Sequence, residues 1–171
     1  MPEKPKPKEE IKRLGYHIVY KPNKEIADHM AFYKVEYDGE VIAPPIVEKY
    51  DIDLNEIWLS EKFKPYERYI LYHELSEINY RAEGYGVREA HLKAEEEEKV
   101  WKGDPKWEEL RKEINLVSRD LVTALPEFGD ELFDRLMKNR PYFDMDELKE
   151  VKGIGEKEVE TLKKEFWCFG D

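Results

Sequence analysis

His73, Glu74 and Glu77 in the stretch YILYHELSEINY, followed by His91 in AHLKA, are the residues whose types and spacing can do chemistry. On a helix, residues four apart share a face, so His73 and Glu77 can converge on one cation. Glu74 is displaced around the helix and can address a bound water without taking a ligand position. A third ligand is required, and His91 is the best candidate, because Gly84-Tyr85-Gly86 lets a second helix fold back antiparallel on the first. Glu95 and Glu98 lie one and two turns beyond His91, and either can be a ligand or an acceptor that orients a ligand imidazole. Of the nearby tyrosines Tyr72 and Tyr80, the latter lies almost a turn beyond Glu77 and is expected to face the site as a further catalytic group. Two imidazoles and a carboxylate with one open position suit zinc first, with manganese or iron as alternatives.

The elements that must position these residues follow from the pattern around them. Leu71, Leu75, Ile78 and Ala82 form an apolar stripe at spacings of four, three and four on a helix that begins near Pro65. His73 and Glu77 lie opposite that stripe, where solvent-facing residues belong. Tyr66, Tyr69, Ile70 and Tyr80 share their side, and so many large rings call for a second packed layer or a cleft. The competing readings are a buried polar network without metal and an ordinary charged surface. The next helix runs from about Val87 to Trp101, with Glu95 to Glu98 as a solvated acidic face.

Upstream, MPEKPKPKEE offers nothing to bury, so residues 1–15 are expected to be mobile or to lie on the surface. GYHIVYKP and MAFYKVEYDGEVIAPP are rich in aromatic and β-branched residues, with Asp38-Gly39 as a turn signal, and NEIWLSEKF adds one more strand. A small antiparallel or mixed sheet is expected, in an α+β fold. Downstream, Asp104 caps and Pro105 opens a third helix, whose stripe of Leu110, Ile114, Val117, Leu121 and Ala124 extends to Pro126. A shorter helix over Glu131 to Lys138 precedes a compact C-terminal motif. The expected division is a lead-in over 1–15, an α+β domain with its supporting helix over 16–125, and a helical tail over 126–171.

The match to known patterns reaches beyond four letters. A strand, a short connection, a helix carrying H-E-x-x-E and a second helix carrying a further ligand resemble the minimal zincin metallopeptidase core, over roughly Tyr16 to Trp101. The resemblance puts His73 and Glu77 at the first two ligand positions, Glu74 at the base position and His91 or Glu95 at the third. It implies hydrolysis of a peptide bond through a metal-bound water, with a peptide or protein as substrate. That family expects histidine where this chain has Glu77, a harder and anionic ligand that reduces Lewis acidity.

DELKEVKGIGEKEVETL, in turn, resembles a helix-hairpin-helix. Val151, Ile154, Val159 and Leu162 would form its seam, and Gly153 and Gly155 its tight turn. Backbone N–H groups there can hold a phosphate, with Lys152 and Lys157 neutralising it. The implied partner is DNA, bound weakly and without sequence preference, or another protein. A non-enzymatic DNA-associated adaptor is therefore the alternative function. A ferritin-like dinuclear centre is a weaker third option, because repeated E-x-x-H signatures are absent.

Composition bounds these readings. The 171 residues carry 29 Lys plus Arg against 40 Asp plus Glu, a net charge of -11 that disfavours a broad grip on nucleic acid or an anionic membrane. Cys168 is the only cysteine, which excludes an intrachain disulfide framework and a cysteine zinc knuckle. With no apolar run of 18 and no apolar leader pattern, a soluble cytoplasmic protein without membrane partners is expected. The richness in Lys and Glu matches the bias of heat-adapted proteins.

Overall fold

The computed structural model describes residues 3–26 and 29–169. The chain divides by its internal contacts into two compact units, Met1–Gly103 and Asp104–Asp171. The first is α+β and the second is helical.

In the first unit, α1 (Pro7–Arg13) precedes strands β1 (His17–Lys21), β2 (Ala31–Tyr37), β3 (Glu40–Ile42) and β4 (Glu56–Ser60). α2 (Glu67–Ala82) and α3 (Val87–Glu97) follow. The sheet is mixed, in the order β1-β4-β2-β3. β2 and β3 form a two-residue hairpin through Asp38 and Gly39, both at positive φ (48° and 85°), which matches the right-handed twist of the strands. β4 then enters between β1 and β2, parallel to the former and antiparallel to the latter.

Strand alternation sends side chains to two cores. Tyr33, Val35 and Ile57 face the helical side, where they meet Leu71, Leu75 and Ile78 of α2. Phe32 and Trp58 face the other side and pack with Ile26, Val47 and Ile52. Burial of each α2 aliphatic contributes roughly 1.5–3 kcal/mol. The proline-rich lead-in is not wholly superficial: Ile11 of α1 belongs to the first of these cores and is 1% exposed.

α2 is covered on its far side too. Trp101, in the 3-10 turn that ends α3, is fully buried and packs edge-on against Tyr69 and Tyr72 at ring-centroid distances of 5.1 and 5.4 Å. The rings on the polar side of α2 thus meet the second layer that their size called for. Between the helices, Gly84 takes φ +107°, a conformation that favours glycine.

The second unit contains α4 (Pro105–Leu110), α5 (Arg119–Thr123), α6 (Asp130–Lys138) and α7 (Glu156–Glu165). Asp104 caps α4 by accepting the Lys106 N–H at 3.2 Å. The expected single helix from 105 to 126 is instead two short helices around a break. Glu113, 1% exposed, accepts N–H bonds from Asn115 and Phe169, and Glu113 forms a bridge with Trp167. Among the described residues no helix is long and apolar enough to cross a membrane.

Candidate metal centre

α2 and α3 bring His73, Glu77 and His91 to one point. His73 Nε2 lies 3.2 Å from His91 Nδ1, and Glu77 Oε2 lies 3.3 Å from each of those nitrogens. The three atoms form a nearly equilateral triangle. A tetrahedral ion with bonds of about 2.0–2.1 Å holds its ligand atoms about 3.3 Å apart, so this triangle has the dimensions of one tetrahedral face.

Each of the three side chains is also held from behind. His73 Nδ1 faces Glu98 Oε1 at 3.1 Å, and His91 Nε2 faces Glu95 Oε1 at 2.9 Å. Glu77 Oε1 accepts the Tyr33 hydroxyl at 2.8 Å. A carboxylate accepts and does not donate, so the carboxylates assign the outer N–H of both rings. In neutral rings the inner nitrogens are then acceptors as well. Three lone-pair-bearing atoms face one point, an arrangement that requires protons or a cation.

Protonation is the answer available to the protein alone. Hydrogen bonds to Glu77 and Glu95 push the His91 pKa up to about 9. Burial opposes a charged His73, but its hydrogen bonds to Glu77 and Glu98 overcome that and raise it well above the ordinary value. Burial likewise opposes a charged Glu77, and hydrogen bonds from His73, His91 and Tyr33 hold it down at about 2. Glu74 moves the other way: burial, then repulsion from Glu77, push its pKa up to about 8. A dication at the triangle would supply the charge that those protons supply, and would favour ionised Glu74.

The side chains of His73 and Glu77 are 12% and 9% exposed while that of His91 is 50% exposed, so the triangle is reached from the α3 side. Glu95 and Glu98, left open between ligand and orienting partner, each face the outer nitrogen of a histidine. Tyr80 donates to Glu97, and no hydrogen bond among the described residues joins it to the triangle. Tyr33 is the participant that helix spacing does not reveal. The only sequence signal is chemical: a tyrosine buried in a strand needs a partner for its hydroxyl.

Near the C-terminus, Val151, Ile154, Val159 and Leu162 are buried. A 3-10 helix, Met145–Glu150, precedes α7 there. Lys152, Gly153, Gly155 and Lys157 are all exposed. The Gly155 N–H, a candidate phosphate donor, is already bonded to Glu158 Oε2 at 3.0 Å. Gly153 has φ +95° and lies against α6, whose Arg135 donates to the Lys152 carbonyl at 3.3 Å.

The fold and the site define a small α+β unit with a His/Glu cluster able to hold a divalent ion. Comparison of the chain with protein families, curated proteins and solved structures finds no match.

Proposed function

We propose that the first unit is a zincin-like metal-binding protein that hydrolyses peptide bonds, with zinc as the preferred ion and manganese or iron as alternatives. The observation that carries this reading is the triangle of three inward-facing acceptor atoms, each of whose side chains is oriented by a separate partner. A helix bearing H-E-x-x-E that packs on a mixed sheet, followed by a second helix bearing a ligand, supports the zincin likeness.

A bound dication supplies a Lewis-acidic centre that lowers the pKa of water at its open position. Glu74 is the nearby carboxylate not committed to holding the ligands, and it would take the proton. Glu77 in place of a histidine adds negative charge and moderates the acidity of the centre. Half-exposed His91 marks the side from which a substrate enters.

The first test is the metal content of protein purified without an affinity tag or chelator, beside a folded His73→Ala/His91→Ala variant. Near-stoichiometric metal, lost in the variant, is expected. Hydrolysis of unstructured polypeptide, lost in Glu74→Gln with metal retained, is the expected second result. A protein that carries no metal and gains none on titration with zinc or manganese overturns the reading.

A further inference from the structure

Tyr33 sits on β2, paired with Ile57 of β4, and is 0% exposed. Its ring is fixed within the core that contains Val35, Ile57, Leu71, Leu75 and Ile78. A fully buried, close-packed aromatic ring has little freedom, so its hydroxyl is a fixed point in the unit. That hydroxyl meets Glu77 Oε1 at 2.8 Å, while Oε2 of the same carboxylate faces His73 and His91. The two oxygens therefore have different tasks.

We infer that Tyr33 is a positioning residue for the metal centre: its hydroxyl commits one oxygen of Glu77 to the protein, so the carboxylate meets a cation through the other alone. This rests on the metal-binding reading above and adds a property that ligand identity does not supply. A carboxylate can grip an ion through one oxygen or two, and the second oxygen takes up a coordination position. With Tyr33 holding Oε1, three protein atoms bind and a position stays open for water or substrate. The sheet, which contributes no ligand to the triangle, thereby sets the number of ligands at the centre.

The control is built into the same core. Tyr16 is also buried there, but its hydroxyl donates to the Glu36 carbonyl at 3.0 Å. Tyr33→Phe and Tyr16→Phe each remove one buried hydroxyl, and only the first touches Glu77.

Zinc affinity, measured by competition with a chromophoric chelator at fixed pH, should fall about 10–100-fold in Tyr33→Phe, the range for loss of a residue that orients a ligand. Tyr16→Phe should bind as wild type. X-ray absorption of zinc-loaded wild-type protein should show a one-oxygen carboxylate, a readout that does not depend on how well either variant folds. A two-oxygen carboxylate, or equal affinity in folded Tyr33→Phe and wild type, overturns the inference and leaves the metal centre standing. Failure of wild-type protein to take up either zinc or manganese overturns both.

Discussion

His73 and His91 meet through unlike nitrogens, Nε2 of the first lying 3.2 Å from Nδ1 of the second. The difference follows from where each ring is anchored. His73 is turned by Glu98, on the neighbouring chain segment, and His91 by Glu95, one turn along its own helix. Two anchors of different reach thus deliver two different ring atoms to one point.

Loss of a triangle residue should cost more than loss of an anchor. His73→Ala, His91→Ala and Glu77→Gln are each expected to weaken zinc binding by more than about 100-fold, and Glu95→Gln and Glu98→Gln by about 10–100-fold. Chelator competition on the five variants gives the ranking. Losses confined to the three Glu→Gln variants, with both His→Ala variants binding as wild type, would point to bulk negative charge as the source of affinity.

The elevated His91 pKa, about 9, means that at neutral pH a cation must displace protons from the cluster. Apparent affinity should rise with pH until about 9 and then level off. Calorimetry in buffers of different ionisation heat should show net proton release at neutral pH. No release would show that the cluster is not proton-loaded.

Stability of metal-free protein should depend on pH in a definite direction. The raised pKa values of Glu74 and His91 contribute stability that is complete below their ordinary values, 4.5 and 6.5, and is lost as pH rises through about 8 and about 9. The lowered pKa of Glu77 contributes stability present above 4.5 and lost as pH falls through about 2. Thermal melts should therefore show the first unit more stable in mild acid than in mild alkali. Zinc should offset the alkaline loss, and Glu74→Gln should reduce it. An alkaline loss that is the same in wild type and Glu74→Gln would show that Glu74 does not titrate as described.

In the second unit, Gly153→Ala should destabilise by about 1–3 kcal/mol, the range for a strained backbone conformation. Its φ of +95° disfavours any side chain, and an added Cβ would lie 3.1 Å from Arg135 Nη1 and 3.3 Å from Leu132 Cδ1. Chemical denaturation provides the measurement. A neutral result would mean that the turn relaxes freely.

The triangle was legible because it obeys helix arithmetic. His73 and Glu77 are four apart, and the Gly84-Tyr85-Gly86 break announced a return that brings His91 alongside. Tyr33 was not legible as a partner, since a strand's alternation gives the face of a side chain but not which helical residue lies opposite. For Tyr80 the position on α2 was readable, but the pull of Glu97 across the interface was not. The break after α4 was hidden by a regular apolar stripe. Leu110, Ile114 and Val117 are buried as the stripe predicts, whereas Leu121 is half-buried and Ala124 exposed. What spacing could not show was Glu113 among them, whose carboxylate binds backbone N–H groups as far along the chain as Phe169 and makes a bend where a helix was expected.

α3 buries only two of its own residues, Ala90 and Ala94, and alanine contributes little apolar area. Beyond Trp101 in the turn that ends it, its grip on α2 therefore draws on the polar contacts that also shape the triangle. Hydrogen exchange would find α3 opening ahead of the sheet when that cluster is weakened. A cation there would act as a rivet, closing a loop of modest length between two helices.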